Sequence, residues 1–425
     1  MLADHGVWHC AFAYGIGMTR PRVLLLLLDN WHGVARLPAA LADAGFEVGL
    51  LSDSSFIAAK SQYVDRHFPI SMRALRRGRM KPVWDAIDDF APDFVVPADE
   101  YAVRFVQFAL THAQTVGVPA AIRGLLDRSV GTRDNANAIG RRARMLDLAA
   151  YLGLECPAHA VVDDLSEARA FADIHGWPVY LKRDHSSGGY WVRQCADAAA
   201  LADAYRYLTG QDRRSWSLNT LYRLPRELAR SLVFRANPMA LPRGETGISV
   251  EASIPGEPAY HTAVALAGQW LAGMSAEVED YYPRPTGSST RVRLHGDEEM
   301  DAAARKLIAA LGYSGFCGLD FIRRPDGGLT FLEFNARPTP VAHLGGLIGM
   351  DLCEALYRTL TDGRSPPSTP TGEVRVALFP QDWRREPPCG DRDGLHLDIP
   401  RGDPPLLEAF GSVLPAGWDT AGSKE

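Results

Sequence analysis

Hydrophobic and polar positions alternate between two periods along this chain. Val23–Leu28 is an unbroken apolar run, as a strand buried on both faces requires. Helical spacing follows over Val34–Ala44 and stops at Gly45. Val48–Leu51 and Phe94–Pro97 are further short apolar runs, and Ala102–Ala113 again has helical spacing. Alternating strands and helices predict an open parallel α/β sheet that ends near Arg123. Its first turn, Asp29-Asn30-Trp31-His32-Gly33, lacks the G-x-G-x-x-G dinucleotide fingerprint. Asp29, Asn30, Asp99 and Glu100 fall at strand ends, where open sheets place ligands. For any single one of them, an ordinary cap or turn is the better account.

Thr132–Leu152 reads as an Arg-rich helix stopped at Gly153. Pro178–Lys182 is a short strand, followed by a loop of small residues that includes Ser186, Ser187, Gly188 and Gly189. A lysine on a rigid strand before such a loop can grip phosphate: the ammonium supplies charge and backbone N–H groups cradle oxygens. Ala196–Leu208 is helical. Ile248–Ile254 and Ala259–Ala267 alternate around Pro255-Gly256-Glu257-Pro258, and helix Met300–Ala310 follows.

Two apolar runs, Leu319–Ile322 and Leu329–Phe334, then flank Pro325-Asp326-Gly327-Gly328, a hairpin signal. Symmetric pairing about that turn sets Ile322 opposite Phe331 and Asp320 opposite Glu333. Like charges facing each other destabilise a sheet. Phe321, Phe331, Leu332 and Phe334 argue that the hairpin is buried, and a buried acid pair needs a counter-ion. Asn335 shares the face of Glu333 because side chains alternate with period two, and Arg337 is close by. Asp320, Glu333 and Asn335 are hard oxygen ligands beside a cation, which suits Mg²⁺ holding nucleotide phosphates.

The segment G-L-D-F…L-E-F-N-A-R-P resembles the last strands of the ATP-grasp fold, with Ala336 where that pattern usually has Pro. The resemblance spans roughly residues 20–365. It implies an α/β and α+β architecture: an N-terminal open parallel α/β domain (18–125), two ATP-clamping lobes (126–215 and 216–365), and an appended C-terminal segment (366–425). It implies that Asp320, Glu333 and Asn335 hold Mg²⁺, with Mn²⁺ an alternative, and that Arg337 touches the transferred phosphoryl or an acyl phosphate. Lys182 with Ser186–Gly189 corresponds to the phosphate loop. Arg142 occupies the position of a nucleotide-binding Lys early in its helix, Arg144 being the neighbouring register; an Arg offers a fork where Lys is a point charge. Backbone near Glu251 and Ala252 would meet the adenine edge, and Glu257 the ribose hydroxyls. Arg291, or Arg293, would stand at the acceptor site. The implied reaction is ATP-dependent joining of a small carboxylate to an amine through an acyl phosphate, releasing ADP and phosphate. A kinase, carboxylase or thiol ligase of the same fold, or a non-catalytic ATP-binding sensor or scaffold, are the alternatives. A homodimer is left open.

The chain has 425 residues, suited to two or three domains. A net charge of −6 and no basic stripe argue against a nucleic-acid binder. Six dispersed cysteines form no C-x-x-C pair, which implies neither a zinc site nor a disulfide framework and fits a reducing cytoplasm. No membrane-spanning run appears. Only five of the 45 basic residues are lysines, which makes Lys182 conspicuous. Residues 1–17 read as an extension ahead of the first strand. A Pro/Ser/Thr/Gly linker runs from Ser365 to Gly372, followed by a strand at Val374–Phe379, a helix at Leu406–Phe410 and expected disorder from Gly417. Gly345, Gly346 and Gly349 suggest close backbone approach to a ligand.

Overall fold

The computed structural model describes residues 20–75, 77–131, 137–184, 191–210, 247–283, 287–363, 370–385 and 392–414. The expectations for residues 1–17, for Ser186–Gly189 and for the tail from Gly417 lie outside the described residues.

The first unit contains β1 (Arg22–Leu26), α1 (Leu37–Ala44), β2 (Glu47–Ser52), β3 (Arg66–Pro69), α2 (Met72–Leu75), α3 (Lys81–Phe90), β4 (Phe94–Pro97), α4 (Glu100–Thr111) and α5 (Ala120–Val130). Its four strands are parallel, in the order β3-β2-β1-β4. Leu24 and Leu26 pack on one face against Trp84 and Ile87 of α3 and Phe105 of α4. Helix α5 buries Ile122, Leu125 and Leu126 in the same core, so this unit runs past Arg123 to Val130.

The second unit follows helix α6 (Arg142–Tyr151). It comprises β5 (His159–Val162), α7 (Leu165–His175), β6 (Val179–Arg183), β7 (Val192–Cys195), α8 (Ala198–Thr209) and β8 (Ile248–Ala252). α6 begins at Arg142 rather than Thr132, because Gly140, at φ +80°, interrupts the helical path just before it. The sheet order is β5-β8-β6-β7. Asp164 and Asp197 cap α7 and α8 through their side chains. Strand β8 therefore lies inside this sheet. The runs around Pro255-Gly256 belong to different sheets, and the boundary expected near residue 216 falls after β8.

The third unit holds β9 (Glu257–Leu266), β10 (Gln269–Tyr282), β11 (Ser288–His295), α9 (Glu298–Leu311), β12 (Gly315–Arg323), β13 (Leu329–Asn335), α10 (Leu352–Asp362), β14 (Val374–Ala377), β15 (His396–Leu397) and α11 (Pro404–Gly411). The strand order is β13-β12-β9-β10-β11-β14-β15. The residues after the linker thus extend this sheet rather than forming a separate appendage. Helix α9 covers one face with Met300, Leu307 and Ile308. The other face packs on the first unit, where Val264 and Met274 share a core with Leu25, Phe46, Leu406 and Phe410. Gly345 meets its own chain, since a Cβ there would lie 1.9 Å from the Met350 carbonyl oxygen. That contact accounts for the glycine without a ligand.

Three distant segments meet at Arg36. Its guanidinium donates to the Phe379 carbonyl at 2.7 Å and pairs with Asp398 at 2.6 Å, while Asp398 also holds His343 at 2.9 Å. Asp403, the cap of α11, accepts from the Ser61 hydroxyl at 2.5 Å and the Gln62 N–H at 3.1 Å. Among the described residues, no helix is long and apolar enough to cross a membrane.

Candidate active site

The β12–β13 hairpin turns through Pro325-Asp326-Gly327, closed by Arg324 N–H donating to the Gly328 carbonyl at 2.9 Å. Gly327 has φ +87°, as a three-residue loop with a left-handed third position requires. The odd loop shifts the register: Ile322 faces Thr330, not Phe331. A bulge at Leu332 restores it, and Asp320 faces Glu333 after all. Phe321 and Phe331 pack edge to face and are buried, so the hairpin is apolar around its acids.

Counter-charges come from the neighbouring units. Arg142, the first residue of α6, reaches Glu333 at 2.8 Å with its side chain only 7% exposed. Its backbone N–H donates to Asp184 Oδ1 at 3.0 Å. Burial works against the guanidinium charge, but Glu333, Glu251 and Asp184 outweigh it and raise its pKa. Asn335 Nδ2 donates to Asp320 Oδ2 at 3.0 Å, and Arg337 donates to Asn335 Oδ1 at 3.3 Å. Burial, and then the facing Glu333, push Asp320 up to about 6. Arg337 lies 3.8 Å from Glu100 and over the Trp31 ring, 4.3 Å from its centroid. Burial raises Glu100, with Arg337 opposing.

Lys182 on β6 is buried and its ammonium is 2.5 Å from Glu251 Oε2 on β8. Glu251 is 2% exposed, and its other oxygen has no hydrogen-bond partner among the described residues. The structure therefore brings together Arg142, Lys182, Glu251, Asp320, Glu333, Asn335 and Arg337. It separates others. Glu251 pairs with β5 on one side and β6 on the other, and the Ala252 N–H donates to the Ala158 carbonyl, so these backbone groups serve the sheet. Glu257 is exposed at the start of β9, opposite Arg323 at the far end of the ladder. Arg291 is held by the buried carboxylate of Asp382 at 3.1 Å, which Arg392 shares at 2.8 Å. In the ligand-free molecule it thus belongs to an ion network centred on Asp382. Arg293 pairs with Glu277 and Glu373.

Sequence reasoning missed Trp31 and Asp184 and left Glu100 as an ordinary cap. An aromatic at the end of the first strand and an acid two residues beyond Lys182 were the available signals. Among the described residues, no three His, Cys, Asp or Glu side chains form a metal cluster. Two opposed carboxylates with one amide still fit Mg²⁺, which is commonly held by one or two carboxylates together with substrate phosphates. The raised Asp320 marks a pair that a divalent cation would relieve.

No protein-family model and no curated protein sequence matches the chain. Solved structures do. The biotin carboxylase domain of Hydrogenobacter thermophilus 2-oxoglutarate carboxylase, crystallised as a dimer with MgADP, ADP and bicarbonate, is 16% identical. It superposes at a TM-score of 0.59, covering 84% of this chain and 74% of that one. An L-amino acid ligase from Bacillus licheniformis is 15% identical at TM-score 0.57, covering 84% and 80%. N5-carboxyaminoimidazole synthetase from Staphylococcus aureus, complexed with ADP, is 10% identical at 0.56, covering 84% and 81%. These are enzymes of the ATP-grasp fold, and this chain has that fold. At such identities the likeness is one of architecture.

Proposed function

We propose that the protein is an ATP-dependent ligase that activates a carboxylate as an acyl phosphate and joins it to an amine. The observation that carries this is the pairing of buried Arg142 with Glu333 of the Asp320/Asn335/Arg337 hairpin, with Glu251, the partner of buried Lys182, acting electrostatically on the same guanidinium. Arg142 and Lys182 would hold phosphate oxygens, exchanging their present acid partners for the nucleotide. Asp320, Glu333 and Asn335 would hold Mg²⁺, which when bound draws charge from the phosphates. Arg337, steadied by Trp31 and Glu100, would orient the substrate carboxylate. A carboxylate oxygen attacks the γ-phosphorus, the bond to the bridging oxygen breaks and ADP leaves. The amine then attacks the acyl carbon, loses its proton and expels phosphate. A prepositioned charged cage is the main catalytic device in phosphoryl transfer.

Incubation with MgATP and pools of carboxylates and amines tests this. Phosphate release that needs both pools, with ADP as the spent nucleotide on chromatography, is expected. AMP would exclude the acyl-phosphate route. The likeness to the two carboxylating enzymes supports bicarbonate as a second candidate substrate; phosphate release that depends on bicarbonate and not on the amine pool would favour it.

A further inference from the structure

In the ligand-free molecule the residues proposed for phosphate and for metal hold each other. Arg142 pairs with Glu333 at 2.8 Å, its side chain 7% exposed against 27% for Glu333. The guanidinium is therefore enclosed, while the carboxylate can be reached from solvent. Arg142 is anchored from behind, because its backbone N–H donates to Asp184 Oδ1 at 3.0 Å where α6 begins. Lys182 is held in the same way by Glu251 at 2.5 Å. Glu251 also acts on the Arg142 guanidinium, and Glu333 faces Asp320 across the hairpin. A chain of charges thus runs from Asp320 and Glu333 through Arg142 and Glu251 to Lys182.

Each ligand alone meets a conflict in this chain. A divalent cation at Glu333 must take a carboxylate oxygen from Arg142, and it then lies beside an enclosed guanidinium where like charges are poorly screened. The guanidinium cannot shed its proton to ease the repulsion. A metal-free nucleotide must draw Arg142 off Glu333, and it then leaves Glu333 uncompensated beside Asp320 and the phosphates. Bound together, the two ligands cancel these costs: phosphate takes Arg142 and the cation takes the carboxylates. Resting on the metal and nucleotide roles proposed above, we infer that the Arg142–Glu333 pair is an autoinhibitory latch that makes metal and nucleotide binding depend on each other. Such a coupling is reciprocal: whatever factor the nucleotide adds to metal affinity, the metal adds to nucleotide affinity.

Calorimetric titration tests the latch without turnover. The probes are Mn²⁺ with ligand-free protein, ADP with metal-stripped protein in EDTA, and Mn²⁺ with the ADP complex. Arg142→Met removes the latch from one side and should tighten the binding of Mn²⁺ alone by roughly tenfold or more. Glu333→Gln removes it from the other side and should tighten the binding of metal-free ADP by about threefold or more. Both effects are gains, which misfolding cannot mimic, and neither involves the direct bond between metal and phosphate. Mn²⁺ binding ligand-free wild type as tightly as the ADP complex overturns the latch before any variant is made. An unchanged Mn²⁺ affinity in an Arg142→Met variant with the circular dichroism of wild type overturns it as well. If that variant does not fold, metal-free ADP binding by Glu333→Gln decides. Asp320→Asn tests the underlying site separately. If Mn²⁺ uptake by the ADP complex is lost in Asp320→Asn but neither gain appears, the latch fails and the metal site stands. If that uptake is unchanged, the metal assignment fails and the latch falls with it.

Discussion

The Arg142 guanidinium lies 2.8 Å from the Glu333 carboxylate, although the two residues are 191 positions apart. Arg142 is the first residue of α6, where a positive charge opposes the helix dipole. Glu333 in turn faces Asp320. The salt bridge relieves both conflicts, and it supplies the counter-ion that the hairpin pattern demands.

Glu333→Gln should therefore do two things. It should lower the stability of the ligand-free protein by about 1–3 kcal/mol, because a buried guanidinium loses its charged partner. It should also remove most of the stabilisation by MgATP, which arises from binding to the native state alone. Thermal melts of both proteins with and without MgATP give the four values needed. An undiminished ligand-free melting temperature would mean that the salt bridge is energetically idle, and a surviving MgATP shift would exclude Glu333 as a needed ligand.

Lys182→Ala should strand the Glu251 carboxylate in an apolar sheet, at a cost of about 3–5 kcal/mol. Removing both charges, with Lys182→Met and Glu251→Leu together, should cost less than Lys182→Ala alone. Urea unfolding of wild type, both single variants and the double variant measures the coupling. Additive losses would contradict it. Loss of ATP binding should follow from every variant at Lys182.

Asp320, pushed up to about 6, carries a pH signature. The folded state binds its proton more tightly than the unfolded chain, whose ordinary value is 3.8. The penalty is absent below about pH 4, grows as pH rises and is complete above about pH 6. Asp99, pushed by burial up to about 7, adds a slope of the same sign. Ligand-free stability on these two accounts falls between pH 4 and 7, and Asp320→Asn should make the slope shallower without abolishing it. A divalent cation competes with the proton, so the MgATP shift in wild type should grow with pH through about 6. Melts in matched buffers would show it; a flat MgATP shift would count against Asp320 as a metal ligand.

Arg291→Ala separates a structural from a catalytic role. With Arg291 and Arg392 sharing the buried Asp382, the variant should lose about 2–4 kcal/mol of stability while KM for both substrates stays within twofold. A large rise in KM in a stably folded variant would return Arg291 to the acceptor site.

The hairpin itself was legible in its Pro-Asp-Gly-Gly turn, but Asp320 faces Glu333 only because a three-residue loop and a bulge offset each other. The bulge at Leu332 was not legible, since nothing in Leu-Thr-Phe-Leu-Glu-Phe marks which residue is extra. Lys182 stood out on its strand, but its partner Glu251 is fixed by β8 entering between β5 and β6. The same non-local pairing parts β8 from β9, which look like one hairpin around Pro255-Gly256. Arg291 carried the right charge in a plausible segment. Its ion-pair partner is Asp382, ninety-one residues later, in the turn after β14, which the linker seemed to set apart. The open sheet of the first unit was readable from its apolar runs, whereas the boundary drawn at Arg123 cut through α5.

The clasp of Arg36 with Phe379, His343 and Asp398 bears on the order in which the molecule can be made. One face of the first sheet finds its apolar partners in residues 260–410, so an early segment waits for others made much later. Contacts of such sequence separation slow folding and leave apolar surface uncovered meanwhile. Synthesis of this chain is accordingly a race between release of its later strands and aggregation of its earlier ones, and a transcript truncated at the linker should yield inclusion bodies rather than a smaller folded protein.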